Sequence, residues 1–333
     1  MKFRRLDKRI FFLLGIIVVY STIVGLKNPY FLSIQTVFDT IRSSSEAALV
    51  ALGLLVIMIA GNIDISFPAI ALFGGYVTVV IMIATGIDNL FFAFALSTLF
   101  GVVLGLFNGF LVHSLKIPAL IITLGTQYLF HGIMTTFIGS ATYGAGVMPK
   151  SILSFSAKQL FQIKLQYGTT GLTYFVIPVV IAIAVTWFIL YRTMLGRGIF
   201  AMGNSEEAAR RVGFNPLVIR LFVYGYMGAL AGMMGIIHLA SVNAVYPNAL
   251  IGTEMMVIAA VVLGGASFSG GRGTILGALL GVVIINLMNN TLIFLGLSSS
   301  WNNFCVGALM VISVVITSYQ ERLENRRKLL FTD

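Results

Sequence analysis

Long apolar runs broken by short polar stretches set the pattern of this chain. Runs able to cross about 30 Å of hydrocarbon fall at residues 10–26, 45–60, 68–86, 90–113, 117–138, 170–191, 217–240, 254–267, 274–296 and 301–318. The pattern predicts an all-α polytopic membrane protein of about ten transmembrane helices, the second and eighth of them short. With a cytoplasmic N-terminus, ten spans place Lys2, Arg4, Arg5, Lys8, Arg9, Lys116, Arg192, Arg197, Arg210, Arg211, Arg220 and Arg272 inside. Arg322, Arg326, Arg327 and Lys328 fall there too, while Lys27, Arg42, Lys150, Lys158 and Lys164 lie outside. That asymmetry is the one required by the positive-inside rule, and it makes both termini cytoplasmic. The first apolar run is long for a signal peptide. Gly25-Leu26-Lys27-Asn28 lacks a small-x-small cleavage site, so an uncleaved first span is expected.

Composition supports this class. The chain is 58% hydrophobic and 10% charged, whereas soluble domains carry about 25% charged residues. A net charge of +10 would suggest nucleic acid in a soluble protein. Here the basic residues flank apolar runs, so membrane topology accounts for them and no nucleic-acid partner is expected. The single cysteine, Cys305, excludes an intrachain disulfide and reads as a small core residue. Trp187, Tyr191 and Trp301 sit at predicted span ends as interfacial anchors. His113, His131 and His238 show no ligand spacing, and no metal site is expected.

Glycine ladders at Gly101/Gly105/Gly109, Gly228/Gly232 and Gly273/Gly277/Gly281 predict close helix packing. GNIDISFPAIALFGGY from Gly61 also echoes GTEMMVIAAVVLGGAS from Gly252, and LFGVVLGLFN from Leu99 echoes ILGALLGVVI from Ile275. The paired segments lie five spans apart, so their orientations oppose. Two inverted repeats of this kind characterise transporters that alternate access around a midplane site. Within the first copy, Asp64 follows a break at Gly61-Asn62 and precedes Ser66 and Pro68. Pro68 suits a first helical turn, Ser66 suits a cap, and Asp64 complements the helix dipole. These residues either hold the helix entry or border a solute pathway, and Glu46 and Glu254 have the same two readings. A charge at bilayer depth costs about 3 kcal/mol or more, so each needs a partner or water. The candidate pathway residues are Asn62, Asp64, Ser66, Gln127, Asn243 and Asn286. Asn108, His131, Asn289 and Asn290 are further polar groups within spans, and interhelical hydrogen bonding explains the amides equally well.

One stretch, GNSEEAARRVGFNP at Gly203–Pro216, reads as a water-facing helix of about residues 204–213. Asn204 or Ser205 caps it, Glu206 and Glu207 fill its first turn, and Arg210 and Arg211 fill its last. The two i,i+4 pairs are worth about 0.2–0.5 kcal/mol each, too little to hold so short a helix alone. Gly213 and Asn215-Pro216 end it. It is either a solvated connector or a docking helix for another protein. The chain has no phosphate-cradling G-x-x-x-x-G-K-[ST], and GGASFSGGRG at 264–273 lacks the lysine followed by serine or threonine that such a cradle needs.

The ordered motifs GNIDIS, IPALIITLGTQYLFHGI, GRGIFAMGNSEEAARRVGFNP and VVLGGASFSGGRGTILGALLGVVIINLMNN resemble those of permease subunits in bacterial ABC importers of the ribose, galactose, arabinose and autoinducer-2 type. The resemblance covers nearly the whole chain. Asn62 stands where that family usually has glycine, and Phe67-Pro68 replaces Val-Gly. The resemblance implies one permease domain over residues 1–333 in the bacterial inner membrane, working as a homodimer or beside a paralogue. It implies ATPase subunits below, which bind the ATP and Mg, and no cofactor in this chain. An extracytoplasmic solute-binding protein would deliver a monosaccharide or sugar-like solute. Glu206, Glu207, Arg210, Arg211 and Gly213 would form the coupling helix, and Lys150, Lys158 and Lys164 in the outer segment 139–169 would meet the binding protein. A self-contained secondary transporter or channel is the alternative, but it leaves the coupling helix unexplained. An intramembrane enzyme would need a nucleophile–base pair or metal cluster, and the sequence offers neither.

Overall fold

The computed structural model describes residues 8–165 and 168–296, together with 301, 304–305, 307–308, 311–312 and 315. Twelve α-helices run through these residues. They are α1 (Lys8–Lys27), α2 (Ile34–Ile59), α3 (Phe67–Thr85), α4 (Leu90–Leu115), α5 (Ala119–Ile133), α6 (Lys150–Ala157), α7 (Val176–Arg192), α8 (Met194–Asn204), α9 (Glu206–Arg211), α10 (Pro216–Val242), α11 (Glu254–Leu263) and α12 (Ile275–Thr291). Five of them, α1, α2, α3, α4 and α10, are long and apolar enough to cross a membrane. The α7–α8 pair meets the same test as one unit bent by 74°. The shorter α5 continues as a π-helical turn through Ile138, and α12 continues as a 3-10 turn through Leu295. Helices thus occur at nine of the predicted positions, although α11 has only 10 residues. The expected span 301–318 lies mostly outside the described residues, as do Lys2, Arg4, Arg5, Arg322, Arg326, Arg327 and Lys328 and the placement of both termini.

Local chemistry marks the helix ends. The Ser33, Asn89, Asn215 and Thr274 side chains each accept a backbone N–H in the first turn of α2, α4, α10 and α12. Pro216 begins α10, where its missing N–H costs nothing. Asn243 ends that helix at φ +54, a left-handed position tolerated by asparagine.

Two small sheets amend the all-α expectation. Tyr143–Gly144 (β1) pairs antiparallel with Ala244–Val245 (β4), while Gln159–Leu165 (β2) pairs with Gly168–Thr173 (β3). The sixth span was expected from residue 170, but GTTGLT takes an extended form as β3 and the helix begins at Val176. Threonines and glycines favour the edge of a hairpin over a helix interior.

The core centres on α2, which is buried without interruption from Ala48 to Ala60. Beside it, the backbones of α4 and α10 touch. A side chain at Gly101 would run into the Gly228 carbonyl, one at Gly105 into that of Tyr224, and one at Gly232 into that of Ser97. Ser97 Oγ donates to the Gly232 carbonyl at 2.7 Å across the same seam. Gly264 and Gly277 bring α11 and α12 equally close.

Substituting Gly101→Val is expected to cost about 3 kcal/mol in reversible unfolding in mixed micelles, the upper range for overpacking. Gly125→Ala, on α5 with open space around it, is expected to stay within about 1 kcal/mol of wild type.

Candidate functional site

The predicted water-facing helix is present as α9, over residues 206–211. Asn204 closes α8 instead, and Ser205 is the cap, its hydroxyl accepting the Ala208 N–H at 3.2 Å. Gly213 follows at φ +93, a backbone setting that favours glycine. Arg210 pairs with Glu206 at 3.3 Å, and Arg211 pairs with Glu207. A third pair ties the helix inward: Glu206 also binds Arg220 on α10, whose guanidinium lies 3.2 Å from His113 Nδ1 on α4. The Arg220 side chain is only 16% exposed, against 65% for Arg210 and 76% for Arg211. Glu206 therefore anchors α9, while Glu207, Arg210 and Arg211 face outward. Beneath the helix Ala209 is buried.

A backbone junction reinforces this end. Gly61, Gly203, Gly270 and Gly271 approach within contact distance, and the Gly271 N–H donates to the Ile59 carbonyl at 2.9 Å. The end of α8 is thereby fixed to the end of α2 and to the 264–273 loop.

Asp64 and Ser66 also lie at this end, fully buried. Ser66 holds the N-cap position of α3, but its side chain makes no capping bond to that helix. Its N–H and hydroxyl both donate to Asp64 Oδ1, at 2.7 and 2.6 Å, and Asn108 Nδ2 on α4 donates to Ser66 Oγ at 2.7 Å. Asp64 thus closes the turn between α2 and α3, a local role common for aspartate. Asn62 belongs to the same turn, its Nδ2 donating to the Ala60 carbonyl at 3.3 Å. Gln127 is buried on α5. Asn243 lies at the far end of α10, where its Oδ1 accepts the Ser156 hydroxyl at 3.2 Å.

The opposite end of the bundle holds a cavity of about 190 Å³. Its polar lining comes from Ser43 and Glu46 on α2, His238 on α10, Thr253 before α11, and Asn286 and Asn289 on α12. The Glu46 carboxylate meets His238 Nδ1 at 2.8 Å, with the two side chains 20% and 14% exposed. Met234, Met256 and Val257 are among the apolar walls. Of the six candidate pathway residues only Asn286 lines this space; Asn62, Asp64, Ser66, Gln127 and Asn243 do not. Glu254 stays outside it, accepting the Gly252 N–H at 2.9 Å.

This end also carries α6 and the β2–β3 hairpin. Phe38 of α2 packs edge-on against Phe161 of the hairpin, and Arg42 lies over Phe175. Lys150 begins α6, Lys158 ends it and Lys164 lies on β2, all three exposed. Asp88 fastens α6 to the α3–α4 loop by accepting the Ser151 N–H at 2.8 Å. Among the described residues, no three His, Cys, Asp or Glu side chains gather as a metal site.

Sequence reasoning noted Glu46 and His238 separately and missed their pairing across 192 positions. It also read Arg220 only as an inside charge. The one available signal was the cost of leaving an acid unpaired at bilayer depth.

A bundle whose long apolar helices can cross a membrane, with a charged helix at one end and a polar cavity toward the other, marks a polytopic membrane protein. The family model described as branched-chain amino acid transport system / permease component matches residues 36–314, and the chain belongs to that family. It is similar to the autoinducer 2 import system permease protein LsrC of Yersinia enterocolitica, with 32% identity over 308 residues, 91% of this chain and 80% of the relative. The protein of the same name in Escherichia coli O9:H4 is 30% identical over 329 residues, covering 99% and 92% of the two chains. No solved structure matches significantly. The chain is thus a permease subunit of an ABC importer of the ribose and autoinducer-2 type, not an enzyme.

Breaking the cavity pair has a definite expected signature. Glu46→Gln or His238→Ala alone should cost about 2 kcal/mol in reversible unfolding. The double variant should fall short of the summed cost by about 1 kcal/mol, the coupling of two residues in contact. Strict additivity would show that the pair contributes nothing.

Proposed function

We propose that this chain is the membrane-spanning subunit of an ATP-driven importer moving a monosaccharide or sugar-like solute into a bacterial cell. The observation that carries this reading is α9, a capped helix with three charged side chains turned outward and one turned in to Arg220. A solvated connector has no need of an inward ion pair, a buried alanine and a four-glycine junction. A helix that receives force from another protein needs all three. The partner below is an ABC ATPase, which binds ATP and Mg and whose closure pushes on α9. A second permease copy or a paralogue completes the transmembrane unit. An extracytoplasmic binding protein delivers the solute, docking near Lys150, Lys158 and Lys164. Exposed pairs of that kind are individually weak, which suits a partner that must dock and leave.

The same reading gives ten spans in the inner membrane with both termini cytoplasmic, arranged as two inverted repeats. Gly61 and Gly252 both take positive φ before their helices, at +81 and +96, in support of the repeat. The helices that follow have 19 and 10 residues, so the two copies have diverged. The named relatives import autoinducer 2, a substrate class compatible with this reading. A self-contained transporter would move solute in liposomes holding this chain alone.

Co-purification tests the proposal. Tagged wild-type chain is expected to capture an ABC ATPase. Glu207→Lys combined with Arg210→Glu and Arg211→Glu should reduce that capture by about tenfold or more, as charge reversal at a docked surface does. Glu206 is left in place to keep α9 anchored. Undiminished capture by the triple variant overturns the coupling role of α9.

A further inference from the structure

We infer that the Glu46–His238 cavity is a recognition site for a small, neutral, hydroxyl-bearing solute, and that it rejects zwitterionic amino acids. The inference rests on the permease reading above and supplies its solute chemistry from residues that the sequence did not bring together.

Charge is the first argument. Glu46 and His238 are the ionisable side chains lining the cavity, and they are bonded to each other at 2.8 Å. The imidazole thus occupies the carboxylate that would otherwise stand alone in this space. An amino acid would bring a carboxylate into this space, yet no lysine or arginine lines it. A carboxylate taken out of water without a cationic partner is heavily penalised. The family description names branched-chain amino acids, so this feature separates the present chain from that substrate class.

Hydrogen-bonding capacity is the second. Asn286 spends its Nδ2 on the Val282 carbonyl at 3.1 Å, and its Oδ1 remains for the cavity. Asn289 Oδ1 and His238 Nε2 are buried without a partner among the described residues. An orphaned buried polar atom costs about 1–3 kcal/mol. Thr253 and Ser43 also line the cavity, their hydroxyls donating to the Leu250 and Thr40 carbonyls and Ser43 Oγ accepting from Asn290 Nδ2. Such a mixture of acceptors and one imidazole nitrogen suits hydroxyl groups, which donate and accept alike.

Shape is the third. The volume of about 190 Å³ lies below the roughly 300–1,000 Å³ of pockets that take drug-sized ligands. Met234, Met256 and Val257 offer an apolar wall to the C–H face of a sugar ring, and methionine adapts readily to its outline.

The test uses the full chain in nanodiscs, with Cys305→Ser as background and a reporter thiol at Ser43→Cys or Thr253→Cys. The rate of methanethiosulfonate modification is measured with D-ribose, D-galactose, erythritol or L-leucine at millimolar concentration. At least one neutral probe is expected to slow modification by about tenfold, as nine-tenths occupancy requires, while leucine leaves it unchanged. Adding Glu46→Gln or Asn289→Leu should abolish the protection. Two substitutions are used so that misfolding of one does not decide the matter. The inference is overturned if neither thiol reacts, if no neutral probe protects, if leucine protects as well, or if protection survives both substitutions. ATPase capture by the wild-type chain is measured in parallel. Capture without protection removes the solute site alone, whereas absence of capture removes the importer reading.

Discussion

Direct contact between the backbones of α4 and α10 is the constraint on which the rest of this structure depends. Inside a bilayer, apolar side chains gain nothing by leaving lipid for a neighbouring helix, so close packing has to bind helices together. Gly101, Gly105, Gly228 and Gly232 allow that approach, and Ser97 adds a hydrogen bond across it. Held in this way, α10 acts as a rod. Arg220 and His238 lie 18 positions apart on it, five turns on one face, or about 27 Å along the axis. One end receives Glu206 from α9, and the other presents His238 to Glu46.

A second rod runs alongside. The first half of α2 packs against the hairpin, its middle carries Glu46, and its last carbonyls join Gly271 beside Gly203. In the proposed importer, α9 therefore bears on the cavity by two routes. One is an ion pair into α10, and the other is a backbone junction into α2. The cavity lies between these two helices, with α11 and α12 closing it. A push that slides one rod against the other would strain the Glu46–His238 bond, the one polar contact that spans them inside the cavity.

How much of this the sequence discloses depends on the range of the interaction involved. Apolar runs locate nine helices because a hydrocarbon solvent leaves few alternatives. The end-caps and i,i+4 pairs of α9 are local, and they appear in the structure nearly as read. The departures are equally physical. Asn243 passes for a span residue because the run before it is apolar, yet its left-handed φ makes it a terminator. The extended β3 requires β2 as its antiparallel partner. Asp64 reads in the sequence either as part of the helix entry or as a border of the pathway, and the bonds it accepts from the Ser66 N–H and hydroxyl favour the first. Glu46 with His238, and Glu206 with Arg220, are pairs set by tertiary packing, so a single chain offers no periodicity that announces them.

The central claim is that α9 and α6 stand on opposite sides of a membrane, with α10 linking them. Sidedness labelling tests this most directly, using Glu207→Cys and Lys158→Cys on a Cys305→Ser background and a membrane-impermeant maleimide. The account predicts that Cys at 158 reacts in intact spheroplasts and that Cys at 207 reacts only after the membrane is opened. Reaction of both positions from the same side would contradict it.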